Sequence, residues 1–298
     1  MNPRPPAPSP RAAAPDPSRA GPYRGRIAPS PTGPLHLGHA RTFLAAWCRA
    51  RRAGGSLVLR VEDLDRPRCR PEFESAHLAD LRWLGINWDE GPDCGGPFGP
   101  YRQSERLDRY RAAFAQLLAN GTLYPCRCTR RDIQLALGAP HAGDEEPPYP
   151  GTCRPEATPR SLADAVPVTW RFRVPPGERV TFADALCGPH TFVAGRDFGD
   201  FPVWRKDDLP AYQLAVVTDD HAMRITEVVR GADLLVSTAR QILLYRALGW
   251  DPPEFAHCPL VLGPDGVRLA KRDGALGLAT LRAAGFDPGI LRAEVEGW

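Results

Sequence analysis

The chain lacks a long hydrophobic run, which excludes a helical membrane protein. No apolar stretch approaches the roughly 18–20 residues that a membrane-spanning helix needs. Residues 1–22 are rich in proline, alanine and arginine but lack the apolar stretch, about 7–15 residues long, of a signal peptide. This composition predicts a disordered N-terminal tail over residues 1–22 and no membrane partner.

The chain also has few lysines and a small net charge. Lys206 and Lys271 are the only lysines among 38 basic residues, and a net charge of +3 does not by itself mark a nucleic-acid-binding protein. Eight cysteines without an export signal favour a reducing compartment over a disulfide framework. We therefore expect a cytoplasmic protein.

Strand-like and helix-like segments alternate along the chain, which predicts an α/β fold with a parallel sheet. The expected strands are 24–28, 56–61, 168–174, 213–218, 225–229 and 258–262, and the expected helices are 38–52, 72–84, 104–119 and 237–248. Residues 121–165 lose periodicity and carry cysteines. We interpret them as an insertion between two halves of one catalytic domain, 23–120 and 166–298, the second ending in a short C-terminal tail.

The most informative segment is RGRIAPSPTGPLHLGHAR, residues 24–41. A short strand runs into a Pro/Gly-rich turn, and a helix begins around His36, Gly38 and His39. A helix N-terminus offers unpaired N–H groups to phosphates, and a glycine lets the backbone approach a ligand closely. Imidazoles can donate to oxygens that gain charge during phosphoryl or adenylyl transfer. The alternative is a pair of ordinary surface histidines.

Three carboxylates, Glu62, Asp63 and Asp65, follow the second predicted strand. They repel one another unless a cation lies among them. The alternatives are a solvated acidic turn, a Mg²⁺ site, or a carboxylate that faces the ammonium group of a substrate.

Cys126, Cys128 and Cys153 bracket a polar, Pro/Gly-rich loop. Thiolates are good zinc ligands, and a tetrahedral structural site needs four donors. Spacing leaves the fourth ligand open between His141 and Tyr149, and three unrelated cysteines are the alternative.

Taken together, these strings resemble the glutamyl/glutaminyl branch of the class I aminoacyl-tRNA synthetases. His36-Leu37-Gly38-His39 stands in place of the HIGH motif, and residues 211–221 and 226–234 match AYxLAxxxDDH and TxVxRGxDL. Residues 268–272 occupy the place of the KMSKS loop, with Lys271 retained and with Arg268, Ala270 and Arg272 as departures. A Rossmann-type parallel sheet with an inserted zinc-binding subdomain is the fold that the resemblance implies.

The resemblance also implies roles for individual residues. His36, His39 and Lys271 would be catalytic and, with Gly38, would bind ATP. Arg26 and Arg230 would bind the two carboxylates of glutamate, because arginine suits bidentate carboxylate binding. The other glutamate-binding residues would be Glu62 for the ammonium group, Tyr212 as a hydroxyl donor, and the segment Ile27, Ala28, Pro29 and Ser30. The zinc set would be Cys126, Cys128, Tyr149 and Cys153, which favours Tyr149 over His141.

Only 26 residues follow Arg272, whereas full glutamyl-tRNA synthetases continue into a helical anticodon-binding domain. The chain therefore resembles the catalytic-domain paralogues of those enzymes. The resemblance implies tRNA-independent activation of L-glutamate by ATP with Mg²⁺, transfer of glutamate to queuosine at the wobble position of tRNA(Asp), and a monomer with one structural zinc ion. The alternatives are a short true glutamyl-tRNA synthetase that charges a tRNA 3′ end, and a non-catalytic paralogue that binds tRNA or an amino acid.

Overall fold

The computed structural model describes residues 21–129, 131–133, 148–154, 167–260 and 277–298. The strands in these ranges are β1 (Arg24–Ile27), β2 (Ser56–Leu59), β3 (Leu123–Cys126), β4 (Thr169–Phe172), β5 (Arg179–Asp184), β6 (Gly188–Val193), β7 (Phe201–Trp204), β8 (Glu227–Gly231) and β9 (Glu254–Cys258). The helices are α1 (Leu37–Arg52), α2 (Pro71–Trp83), α3 (Leu107–Ala119), α4 (Tyr212–Ala222), α5 (Leu235–Leu248), α6 (Leu278–Ala283) and α7 (Pro288–Val295).

Parallel strands form the centre of the fold, as the sequence predicts. β1 pairs with β2 and β8 pairs with β9, both in parallel. β1 lies beside β8, where the Thr226 N–H donates to the Arg24 carbonyl at 2.9 Å. β5 meets β9 in parallel at one residue pair and forms an antiparallel hairpin with β6. The carboxyl ends of β1, β8 and β9 therefore lie at one edge, where ligands bind in open α/β sheets.

A second, antiparallel sheet has the order β3, β4, β7. Two of its buried aromatic residues, Trp170 and Trp204, pack around Phe114 of α3. A separate apolar cluster joins α1 to the parallel strands. None of the helices in the described ranges is both long and apolar enough to span a membrane.

A buried ion pair connects α1 to β8. The Arg49 guanidinium donates from Nε to Glu227 Oε2 at 2.8 Å and from Nη2 to Oε1 at 2.5 Å. The Tyr23 hydroxyl adds a third hydrogen bond to Glu227 at 2.7 Å. Charge-assisted, two-pronged pairs of this kind fix geometry strongly. The last turn of the helix is thereby held against the start of the strand.

Two predicted strands are wrong. Residues 213–218 lie in α4, in which all residues from Gln213 to Asp220 are buried. A helix buried on all sides presents a continuous run that resembles a buried strand. The strand expected at 258–262, of which residues 261 and 262 lie outside the described residues, is found four residues earlier, at Glu254–Cys258. It ends there because Pro259 has no N–H with which to continue the ladder.

Several elements were not predicted at all. The β5–β6 hairpin buries only alternate residues of β5, so it lacks the continuous apolar run of the central strands. Its alternation in RVTFAD was the signal that could have indicated it. α6 and α7 also occur where the sequence suggested only a short tail. Lys271 and the rest of the KMSKS-like loop, as well as His141, lie outside the described residues.

Candidate active site

A cleft of about 620 Å³ opens at the carboxyl edge of the parallel strands. It is bounded by the end of β1, the turn before α1, the start of α4 and the end of β8. The sequence-predicted residues that line it are Arg26, Ala28, Pro29, Ser30, His36, Gly38, His39, Glu62, Tyr212 and Arg230. These residues come from five separate segments of the chain, and the fold brings them into one concave site.

Ile27 is the predicted residue whose side chain lies elsewhere. It is 1% exposed and packs in the apolar cluster beneath α1. Its carbonyl accepts a hydrogen bond from the Arg60 N–H at 2.9 Å. Side chains alternate between the two faces of a strand, so neighbours of a cleft residue face the core.

The N-terminus of α1 is capped by two histidines, His36 and His39. His36 is the N-cap, and its Nδ1 accepts from the Gly38 N–H at 3.2 Å. His39 Nδ1 accepts from the His36 N–H at 3.3 Å, and the two rings stack with centroids 3.8 Å apart. A neutral imidazole carries one donor and one acceptor nitrogen. The capping box therefore places the proton of both neutral rings on Nε2, which makes both rings donors.

Arg26 and Arg230 are buried cations, 5% and 4% exposed. Arg26 Nη1 donates to the Val229 carbonyl at 2.9 Å, and its Nε lies 3.5 Å from Asp220 Oδ1. Arg230 Nη2 donates to Thr238 Oγ1 at 2.7 Å, and burial lowers the pKa of Arg230. Arg26 Nε and Arg230 Nη1 have no hydrogen-bond partner among the described residues. Both side chains line the cleft, and a guanidinium group suits a ligand rich in acceptors, such as a carboxylate.

Glu62 lies beside a fully buried arginine. Arg60 Nη2 donates to Glu62 Oε1 at 3.0 Å, and Arg60 Nη1 donates to Asp220 Oδ1 at 2.7 Å. Arg60 Nε is 3.7 Å from Asp219 Oδ2, and Asp219 also accepts from Arg106 Nε at 2.6 Å. Burial raises the pKa of Glu62, although the charge of Arg60 opposes this shift. The Glu62 carboxylate is thus held in place by a network of alternating positive and negative side chains.

The other two carboxylates of the acidic segment have separate partners. Asp63 accepts from the backbone N–H and the hydroxyl of Ser104, at 2.8 and 2.5 Å. Asp65 pairs with Arg68 on the surface. The three carboxylates therefore do not converge on one Mg²⁺ ion, which needs near-octahedral oxygen ligands.

Cys126, Cys128 and Cys153 form a group whose sulfur atoms all lie within 4.8 Å of one another. Cys128 Sγ is 3.5 Å from Cys153 Sγ, and Tyr149 Oη is 3.3 and 3.4 Å from the sulfurs of Cys126 and Cys128. Ligands about 2.3 Å from a tetrahedral zinc ion are about 3.8 Å apart. The three thiols and the phenol oxygen could form such a site, and they are the set that the resemblance implies.

Packing around Tyr149 fixes the position of its hydroxyl group. The Arg171 guanidinium lies 3.9 Å from the centre of the Tyr149 ring, a cation–π contact. The Cys153 N–H donates to Tyr149 Oη at 3.0 Å. Gly199 permits the close approach, since a Cβ at this position would lie 3.1 Å from the Tyr149 backbone nitrogen. The phenol oxygen is therefore positioned among the sulfurs by three independent contacts.

Sequence reasoning assigned no role to the residues that support the cleft from behind. These are Arg60, Asp184, Asp219, Asp220, Thr238 and His257, all of them buried. The available signal was a charged or polar residue inside an apolar run, since such residues are seldom buried without a partner. Their partners lie far away in the sequence, so only the fold identifies them.

A comparison with protein families identifies one family that matches this chain. Residues 23–295 match the family of tRNA synthetases class I (E and Q), catalytic domain. The chain belongs to this family and is a ligase of the aminoacyl-tRNA synthetase type.

Two curated relatives make the comparison more specific. The chain is 56% identical over 268 residues to the glutamyl-Q tRNA(Asp) synthetase of Symbiobacterium thermophilum, which covers 89% of this chain and 82% of that protein. It is 51% identical over 265 residues to the glutamyl-Q tRNA(Asp) synthetase of Nitratidesulfovibrio vulgaris, with 88% and 82% covered.

The fold is also similar to a solved structure. The crystal structure of glutamate-tRNA synthetase from Elizabethkingia anophelis superposes with a TM-score of 0.79 at 34% identity. The match covers 92% of this chain and 61% of that one, so the chain spans about three fifths of that structure.

Proposed function

We propose that the protein activates L-glutamate with ATP and Mg²⁺, without tRNA, and transfers the glutamyl group to queuosine at the wobble position of tRNA(Asp). The observation that carries this proposal is the pair of buried arginines, Arg26 and Arg230, that line one cleft together with Glu62 and Tyr212. The names of the two curated relatives described above support it. The proposed setting is a cytoplasmic monomer.

Glutamate has two carboxylates and one ammonium group, and the cleft has matching groups. Arg26 and Arg230 bind the carboxylates, Glu62 binds the ammonium, and Tyr212 donates its hydroxyl. Residues 27–30 form the adjoining wall. Glutamine lacks one carboxylate, so it leaves one arginine partly unpaired, at a cost of a few kcal/mol in a dry site.

ATP binds at the N-terminus of α1. Gly38 allows close approach, and the Nε2–H groups of His36 and His39 donate to phosphate oxygens as their charge grows. Lys271 supplies a further positive charge in the proposal. Attack of the glutamate carboxylate on the α-phosphorus forms glutamyl-adenylate and releases pyrophosphate. Positioning and charge stabilisation suffice for this step, with no covalent enzyme intermediate.

Cys126, Cys128, Tyr149 and Cys153 would hold one zinc ion. Four protein donors close the coordination sphere, and closed sites of this kind are structural. Such an ion would cross-link the end of β3 to the segment that contains Tyr149 and Cys153.

The test begins with ATP–pyrophosphate exchange by the protein alone. Glutamate-dependent exchange is expected, and its absence at millimolar glutamate and ATP would contradict activation without tRNA. Transfer of labelled glutamate is then measured on tRNA(Asp) with and without queuosine. Labelling that requires queuosine supports the proposed acceptor.

A second candidate is a short glutamyl-tRNA synthetase that charges a tRNA 3′ end. The structural likeness to the Elizabethkingia anophelis glutamate-tRNA synthetase favours it. Aminoacylation of an unmodified tRNA(Glu) transcript distinguishes the two candidates, since the queuosine reaction cannot occur on that RNA.

A further inference from the structure

A buried chain of hydrogen bonds lies behind Arg230, and the proposed reaction does not use it directly. We propose that Asp184 and His257 are positioning residues, which orient the Arg230 guanidinium toward a carboxylate of the amino-acid substrate. The inference rests on the proposed function, because it assumes that Arg230 binds glutamate.

The first link joins β5 to β9. His257 is 0% exposed, and its Nδ1 lies 2.5 Å from Asp184 Oδ2. The other oxygen, Asp184 Oδ1, accepts from three backbone N–H groups, those of His257 at 3.0 Å, Leu186 at 3.0 Å and Cys187 at 2.9 Å. Burial acts to raise the pKa of Asp184, but these hydrogen bonds outweigh it and lower the pKa to about 2. The carboxylate is ionised and cannot rotate without losing several bonds.

The second link joins His257 to Arg230. His257 Nε2 lies 3.1 Å from Arg230 Nε and 3.1 Å from Thr238 Oγ1. Arginine has no acceptor, so His257 Nε2 must accept the Arg230 Nε–H. His257 is therefore neutral with its proton on Nδ1, the tautomer that donates to Asp184. Burial lowers the pKa of His257, which also favours the neutral ring.

The consequence is a guanidinium held at two of its three nitrogens. Nε is bound to His257, and Nη2 is bound to Thr238. Nη1, which has no hydrogen-bond partner among the described residues, belongs to a side chain that lines the cleft. Without the acceptor at His257 Nε2, the guanidinium could rotate away from the orientation in which it lines the cleft. Preorganised donors of this kind contribute more to binding than mobile ones.

Two substitutions of His257 separate orientation of Arg230 from stability. His257→Asn keeps an amide donor near the Nδ1 position for Asp184 but removes the acceptor for Arg230. His257→Gln keeps an acceptor near the Nε2 position but leaves Asp184 Oδ2 without its donor. We measure KM for glutamate and for ATP in the exchange reaction, together with the melting temperature.

His257→Asn is expected to raise the KM for glutamate about 10- to 100-fold, the loss expected for a hydrogen bond to a charged group. Its KM for ATP should stay at the wild-type value. His257→Gln keeps the acceptor for Arg230 Nε. It should therefore show the smaller change in the KM for glutamate, although it should have the lower melting temperature. If His257 were only structural, the variant with the lower melting temperature, His257→Gln, would show the larger rise in the KM for glutamate. That result would overturn the inference.

Asp184→Asn provides a second variant if His257→Asn does not fold. Its Oδ1 can keep the three backbone bonds, while its amide donates to His257 Nδ1 and moves the ring proton to Nε2. Two donors then face each other at Arg230 Nε, so the KM for glutamate should rise as in His257→Asn. An unchanged KM for glutamate in Asp184→Asn would refute the positioning role. A wild-type protein without exchange activity would refute the proposed function instead.

Discussion

Arg60 lies at the centre of the charge network under the cleft, and its removal should have a large effect. Its guanidinium is 0% exposed and faces Glu62, Asp219 and Asp220, at 3.0, 3.7 and 2.7 Å. Arg60→Met keeps the approximate volume but removes the charge. Asp219 keeps Arg106 and Asp220 keeps the more distant Arg26, whereas Glu62 loses the donor that holds it.

Loss of one partner from a buried ion pair destabilises a protein by about 3–5 kcal/mol. A domain has a total stability of about 5–15 kcal/mol, so this loss is a large fraction of it. The deficit also depends on pH. Burial already raises the pKa of Glu62, and removal of Arg60 raises it further. A carboxyl whose pKa is raised in the folded state destabilises the protein as the pH rises through that pKa, so the deficit should be larger at neutral pH than at a pH near the ordinary pKa of a glutamate.

The assay is urea unfolding followed by circular dichroism at both pH values. Arg205→Met is the matched control, because Arg205 pairs with Asp207 on the surface at 2.5 Å, with 38% and 47% of the side chains exposed. Exposed pairs contribute only about 0–1 kcal/mol. Equal losses for the two variants, or a deficit for Arg60→Met that shrinks as the pH rises, would refute the reasoning.

Three further predictions concern the cleft and the cysteine cluster. Replacement of both His36 and His39 by alanine should lower the exchange rate by about 10² or more, as loss of transition-state donors does; a rate near that of the wild type would contradict their role. The KM for glutamate should rise as the pH falls through the raised pKa of Glu62, because a protonated carboxyl does not attract an ammonium group. Glu62→Gln should abolish that pH dependence in the same assay. Cys126→Ser combined with Cys153→Ser should reduce bound zinc, measured by atomic absorption, from about one equivalent to near none; stoichiometric zinc in the double variant would show that the ligand set is wrong.

Local sequence patterns predicted β1, β2, β8 and the first helices within a few residues. They failed at α4 because periodicity cannot distinguish a fully buried helix from a buried strand. They missed the β5–β6 hairpin because only one of its faces is buried. Neither error moved the predicted cleft, since β1, α1 and β8 were all recognised.

The cleft-lining residues were predictable because they occur in short contiguous strings. The supporting residues were not, because each contact joins distant parts of the chain. Arg60 meets Asp220 across 160 positions, and His257 meets Asp184 across 73. An arginine directly after a strand carries no local sign of which carboxylate it will meet. Only the tertiary fold determines that pairing.

The Arg49–Glu227 pair has a mechanical consequence for the cleft. It fastens the last turn of α1 to the first residue of β8, whereas His36 and Arg230 lie at the opposite ends of these two elements. Sliding the helix along the strand would break two buried, charge-assisted bonds. The spacing between His36 and Arg230 therefore depends on an ion pair that does not line the cleft. A substitution of Arg49 or Glu227 is therefore expected to shift the two ends of the cleft relative to each other, while the side chains that line each end stay the same.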